Sequence, residues 1–417
     1  MVTATTTSTS SPLPGKGKSV LISGGSIAGP AIAWWLHKYG FETTIVERWH
    51  ELRGGGQNID VRGVGRDIIT KMGLFDAVKA RNTTEEGLQF IREDGSSIAA
   101  IPASANGPTA ELEILRGDFA EVLYDATKEG TRYIFGDCIV AIDDEENGTA
   151  EVTFKSGRKE EFDVVIIADG VRSRTRKLVF GDEVKFKRLG MSVAYATIPR
   201  IASDDRWAKW FTPPGRRSIS TRPDPYNSTR VCLSFMTPVD YMQHDQQERI
   251  DILRRKFAGA GWEAERITSQ LDQLDDLYCE DLMQVKAPRY SSGRVTMLGD
   301  AAFCATPVSG QGTTLSLSSA YILAAELAKS PDNHQVAFER YDKVMRPIAE
   351  KAQNLPGFIP GAAHPESWWG VAILRGLVTV VGWVWNLPYP QVAVDFVNRQ
   401  GFGTDKVRVP EYKELQQ

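Results

Sequence analysis

Cysteine and histidine are scarce in this chain, which has four cysteines, Cys138, Cys232, Cys279 and Cys304, and five histidines in 417 residues. The cysteines are scattered with no close pair, which excludes a disulfide framework and a thiolate zinc site and fits a reducing compartment. The histidines form no cluster, and no Ser-His-Asp, Cys-His or metal-ligand constellation stands out. Blocks of like charge are missing too. The net charge of −4 comes from 49 Lys and Arg intermixed with 53 Asp and Glu, so neither nucleic acid nor anionic membrane is expected as a main partner, and a small molecule is. Residues 1–17 are rich in Thr and Ser but hold no apolar core and no arginine, so they read as a disordered tail rather than a signal or transit peptide. A cytoplasmic location is expected.

What the chain does have is a 42% hydrophobic composition, enough for one large or two ordinary domains, and three separated segments that each follow an apolar run. These are Gly24-Gly25-Ser26-Ile27-Ala28-Gly29, Ala168-Asp169-Gly170 and Gly299-Asp300-Ala301-Ala302. The first lies between a strand, Val20-Leu21-Ile22-Ser23, and a helix beginning at Pro30 and ending before Gly40. Such a turn brings backbone N–H groups and the positive end of a helix to a pyrophosphate, and a Cβ would obstruct that approach. Ser26 occupies the usual middle glycine position, where its hydroxyl can donate to a phosphate oxygen. A second strand, Glu42 to Val46, delivers Glu47 about 20 residues on, where a carboxylate accepts from both ribose hydroxyls.

After Glu47, Arg53-Gly54-Gly55-Gly56-Gln57-Asn58 reads as a flexible loop, followed by Ile59-Asp60-Val61 and a helix over 64–80. The Asp94-Gly95 hairpin decorates the core, and Asp118 caps a helix running to Lys128. Val164 to Ala168 is apolar enough to be buried on both faces. Alternating strands over 181–285 form an inserted second domain. Val295 to Leu298 and the helix Thr313 to Lys329, which follows Gly310-Gln311-Gly312, return the chain to the first. The expected division is a tail at 1–17, a discontinuous dinucleotide domain at 18–180 and 286–355, a substrate domain at 181–285, and a C-terminal helical segment at 356–417. The apolar run Trp368 to Trp385 is interrupted by Arg375, so a packed helix is expected rather than a membrane anchor, although its four tryptophans leave a membrane-surface role open.

With these motifs in this order, the chain resembles the single-component FAD-dependent monooxygenases typified by para-hydroxybenzoate hydroxylase, and within them the tetracycline-inactivating branch, over nearly all of residues 18–385. The resemblance implies an α/β fold: a Rossmann-like FAD-binding domain of the glutathione reductase type, an inserted mainly-β substrate domain and C-terminal helices. It implies FAD as cofactor and NADPH or NADH as transient co-substrate. Asp300 would contact the ribityl or pyrophosphate part of FAD, Asp169-Gly170 would serve FAD and the docking of NADPH, and Arg116 would lie along the flavin. Gly24, Ser26, Ile27, Ala28, Gly29, Glu47, Arg48, Asp60, Gly299, Pro307, Gly310, Gln311 and Gly312 complete the expected cofactor set. Phe303 and Thr306-Pro307 stand where the family commonly has a histidine and a Pro-Pro pair, which alters the expected flavin face.

The N-terminus of the helix after Gly310-Gln311-Gly312 would stabilise the anionic reduced flavin, and a dry pocket would protect a C4a-hydroperoxide. No side-chain nucleophile is required, and Cys304 is expected to be a buried, inert thiol. The expected activity is NADPH-dependent insertion of one atom of O2 into an aromatic or polyketide-like phenolic molecule. Trp210, Phe211, Arg217, Arg222 and Phe235 of the inserted sheet are candidates for aromatic walls and a cationic anchor for phenolate or carboxylate, joined by Phe303 and Pro307. Two alternatives stay open: a same-fold oxidase, Baeyer-Villiger oxygenase or cyclase, motivated by Phe303, and a non-catalytic dinucleotide-binding protein.

Overall fold

Short runs of Val, Ile and Leu between glycine turns become the strands of the first sheet, seen in a computed structural model that describes residues 13–104, 109–110, 112–144, 148–238, 240–274, 276–386 and 407–415. The order is Ser291–Ser292, Val295–Met297, Val164–Ile167, Ser19–Ser23, Glu42–Glu47, Thr131–Phe135. All pairings are parallel except that of the first edge strand. A parallel sheet must be covered to bury its apolar faces. Helix Ala28–Lys38 packs against helix Gly312–Lys329, whose residues from Thr314 to Ala328 are all buried, as suits a helix apolar all round. Trp35 meets Tyr321 edge-on across this contact, with ring centroids 4.9 Å apart.

The second sheet has seven strands in the order Tyr278–Lys286, Lys185–Pro199, Ser228–Met236, Arg217–Pro223, Trp207–Phe211, Gly87–Ile91, Ser97–Pro102. The hairpin expected to decorate the first core therefore forms the edge of the second sheet, with Gly87–Ile91 parallel to Trp207–Phe211. One face is sealed by helices Gln246–Phe257 and Ala264–Thr268, where Ile219, Val231 and Leu233 pack with Leu253 and Ile267. Asp245 and Glu248 form a reciprocal capping box at the start of the first of these helices. The opposite face looks toward the first domain, and the two-stranded pair Asn58–Asp60 with Glu113–Leu115 lies beside it.

Three terminal readings are revised. Residues 13–17 form a turn tied down by the Gly15 N–H donating to the Tyr39 carbonyl at 2.9 Å, while the rest of the expected tail lies outside the described residues. Within 356–417, residues 407–412 are not helical: Tyr412 is buried on helix Gly312–Lys329 and its hydroxyl donates to Glu326 at 2.8 Å. Residues 387–406 are outside the description. Helix Trp368–Trp385 is not packed as expected. It lies against the edge strand Ser97–Pro102, with Gly382 close to Ala99, buries only Val371 and Gly382 among the described residues, and exposes Trp368, Trp369, Ile373, Leu377 and Trp383. It is long and apolar enough to cross a membrane, with mean hydropathy 1.4.

Candidate functional site

The C-terminal ends of Ser19–Ser23, Glu42–Glu47 and Val164–Ile167 lie side by side, so the glycine turn, Glu47 and Asp169 converge. Gly24 adopts a φ of 109°, and a Cβ there would lie 2.6 Å from the Ala168 carbonyl oxygen. At Gly29 a Cβ would stand 2.0 Å from the Gly24 carbonyl oxygen, which fixes how closely the helix follows the strand. Ser26 and Ile27 keep accessible surface, Ala28 is buried, and the helix has no side-chain cap. Its first N–H groups are thus available to an anion. Glu47 is already oriented: its carboxylate accepts from the Gly25 N–H at 2.8 Å and the Trp49 N–H at 3.1 Å. Arg48 follows it and is exposed.

Arg116 crosses to the same turn, donating to the Ser26 hydroxyl at 2.7 Å. Burial lowers its guanidinium pKa, Arg53 adds to that, and Tyr278, Glu280 and Asp300 oppose it. Asp300 begins a short helix after Gly299, whose φ is 60° and whose hydrogens face Ala28 and Ser316. Burial raises the Asp300 carboxyl. Asp169 accepts from the Thr175 hydroxyl at 3.0 Å through one oxygen, and its other oxygen is buried with no partner among the described residues. Gly170, at φ 84°, turns the chain beyond it. Pro307 and Gly310 are exposed, and Gln311 precedes the uncapped end of helix Gly312–Lys329 with its own buried side-chain oxygen unpartnered.

These residues fit FAD. Two uncapped helix ends supply N–H groups and positive dipole ends for phosphate and flavin, while the orphaned oxygens of Asp169 and Gln311 need donors that a ribityl chain or flavin ring carries. Asp60 does not join them. Its carboxylate accepts from the Ala110 N–H at 3.0 Å and pairs with Arg62 at 2.8 Å, beside Glu113.

The inner face of the second sheet carries a row of side chains in register across six strands: Tyr278, Tyr195, Cys232, Ser220, Trp210 and Phe90. At ~4.8 Å per strand the row runs about 24 Å. All six keep accessible surface, yet burial pushes Cys232 and Tyr278 up to about 12 and Tyr195 well above its ordinary value. These side chains are thus partly accessible yet largely desolvated, on one continuous face of the sheet. At its near end Arg53 reaches over the Tyr278 ring at 5.0 Å and the Trp49 ring at 5.4 Å. Tyr278 donates to Glu280 at 3.2 Å, and burial raises Glu280 to about 7.

Several expected substrate residues are elsewhere. Phe211 and Phe235 point to the opposite face and are buried under the covering helices, because side chains alternate along a strand. Arg217 points the same way and binds the Lys256 and Ala258 carbonyls. Phe303 is 1% exposed in the first core, edge-on to Tyr290 at 5.2 Å, so core packing explains its presence. Cys304 is buried, and burial raises its thiol. Arg222 does lie on the inner face, two residues from Ser220, but its guanidinium is bound by Glu85 and Glu113. Of that row sequence reasoning named Trp210 and missed Tyr278, Tyr195, Cys232, Ser220 and Phe90, and it also missed Glu85, Glu113 and Glu280. Only the strand register and the side chosen by the covering helices distinguish them from their neighbours.

The FAD binding domain family matches residues 18–354. An uncharacterized protein of Mycobacterium tuberculosis is 37% identical over 358 residues, covering 82% of this chain and 95% of its own. The flavin-dependent monooxygenase eupH of Phoma sp is 34% identical over 391 residues, covering 85% of this chain and 90% of its own. The crystal structure of tetracycline destructase Tet(55) superposes with a TM-score of 0.79 at 28% identity, covering 96% of this chain and 100% of that one.

Proposed function

We propose that this chain, which belongs to the FAD binding domain family and is a flavin-dependent monooxygenase, takes its electrons from NADPH and inserts one atom of O2 into an aromatic or polyketide-like phenolic molecule. The observation that carries the substrate reading is the row of aromatic side chains on the inner face of the second sheet, which begins at Tyr278 beside Arg53; we take the ligand to lie in a cavity against it. Aromatic walls with Cys232 and Ser220 between them suit a flat, ring-bearing ligand. The similarity to tetracycline destructase Tet(55), whose name points to a polyketide, supports the same class.

Bound FAD supplies hydride acceptance and O2 activation, chemistry for which no side chain is suited. The chain's own residues do the rest. Glu47 holds the ribose end, with its carboxylate already aligned by two backbone N–H groups. The uncapped ends of helices Ala28–Lys38 and Gly312–Lys329 meet negative charge with fixed dipoles. Arg116 adds a guanidinium to the same region, and the second sheet keeps water from the reacting face. Phe303, buried in the core, gives no ground for an altered reaction outcome.

Incubation with NADPH, isotopically labelled O2 and a panel of phenolic polyketides tests this. One labelled oxygen atom in the product is expected. Ligand-stimulated NADPH oxidation with no label in any product would instead support the oxidase or cyclase reading.

A further inference from the structure

We infer that Arg222, clamped between Glu85 and Glu113, makes the cavity selective for uncharged ring-bearing substrates and turns carboxylates away. This rests on the proposed substrate cavity against the inner face of the second sheet. Arg222 lies two residues from Ser220 on the same face of the sheet, with 23% of its side chain accessible. Its Nε and Nη2 donate to the two Glu85 oxygens at 2.8 and 3.0 Å, and Nη2 also donates to Glu113. Both carboxylates are 1% exposed. Asn58 and Thr83 donate to the remaining Glu113 oxygen, and the Asp60–Arg62 pair is adjacent. Three carboxylates therefore surround two guanidinium groups. Nη1 is the edge of Arg222 with no protein acceptor among the described residues.

An exposed arginine normally anchors an anion, but the anion positions of this one are filled. A ligand carboxylate meeting Nη1 would feel one cation in front and two anions just behind it, and that residual attraction does not offset the loss of its own hydration. A carbonyl or phenol oxygen accepts the same hydrogen bond without adding another buried charge. The expected anchor for phenolate or carboxylate becomes a donor to neutral oxygen. Burial raises the Glu113 carboxyl to about 7, with Arg222, Glu85, Asp60, Asn58 and Thr83 facing it and Cys232 on the neighbouring strand. The rejection should therefore be strongest above that value, where Glu113 is ionised.

The test measures binding of hydroxynaphthoate and its methyl ester to the FAD-loaded full chain by fluorescence, without NADPH, near pH 8 so that both the acid and Glu113 are ionised. The ester should bind at least about tenfold more tightly than the acid. Glu85→Gln and Glu113→Gln should each narrow that gap by about tenfold, through tighter binding of the acid. Equal binding of acid and ester by the unmodified protein, or an unchanged gap in a variant that keeps its FAD and its thermal transition, overturns the inference. If neither variant folds, the unmodified protein decides: the gap should narrow near pH 6, and a gap constant between the two pH values contradicts the inference. Failure of both probes to bind the unmodified protein contradicts the cavity reading itself, and the inference with it.

Discussion

The guanidinium of Arg116 donates to the hydroxyl of Ser26 at 2.7 Å, joining residues 90 apart in sequence. A serine in the usual middle glycine position thereby gains a role: it fixes the side chain that extends from the phosphate turn toward Glu280 and Asp300. Arg116→Ala should weaken FAD binding by about 1.5–3 kcal/mol, the range for hydrogen bonds to a charged group, and Ser26→Ala by about 1 kcal/mol. Quenching of FAD fluorescence on titration with apoprotein measures both. Equal affinity in all three proteins would remove Arg116 from the site.

Gly29→Ala should be damaging despite its size. The added methyl would stand 2.0 Å from the Gly24 carbonyl oxygen and 3.3 Å from a methyl of the buried Ile22, so the clash falls on backbone that cannot swing aside. A loss of about 1–3 kcal/mol is expected, read as a lower thermal midpoint and a lower ratio of flavin to protein absorbance.

For Glu47→Ala, two backbone donors lose their acceptor and the ribose loses its carboxylate. FAD retention should fall by about 1–3 kcal/mol, with the fold kept. Dialysis against buffer followed by flavin quantitation checks it.

Glu113 makes stability depend on pH. Burial raises its carboxyl from 4.5 to about 7, outweighing the attraction of Arg222. The folded state therefore holds this proton at pH values where the unfolded chain has released it. The resulting stabilisation is fully present below about 4.5 and is lost as the pH rises to about 7. Glu113→Gln, neutral throughout, should flatten that stretch of the midpoint-against-pH curve relative to the unmodified protein, as differential scanning fluorimetry would show.

The dinucleotide half of the molecule was legible because its determinants are local. Strand, turn, helix and acidic residue lie within Val20 to Glu47, and steric rules of adjacent atoms decide them. The second sheet was not, because Ala194 and Tyr195 both sit in an apolar run and alternation alone gives two faces without saying which one the helix Gln246–Phe257 covers. Phe211 and Phe235 were placed on the wrong face for that reason. The Arg222 cluster draws on Glu85 and Glu113, 137 and 109 residues away, a proximity no local pattern carries. Helix Trp368–Trp385 departs from expectation in another way: the Arg375 interruption points to a packed helix, yet among the described residues its buried positions are Val371 and Gly382 alone.

Reduction of bound flavin by NADPH is read from the absorbance spectrum of the purified protein, recorded anaerobically before and after NADPH, with and without an uncharged phenolic ligand. A flavin-dependent monooxygenase fed by NADPH should show flavin bands that bleach on NADPH addition, faster when the ligand is present. Bound flavin that NADPH leaves oxidised with every ligand would contradict that reading.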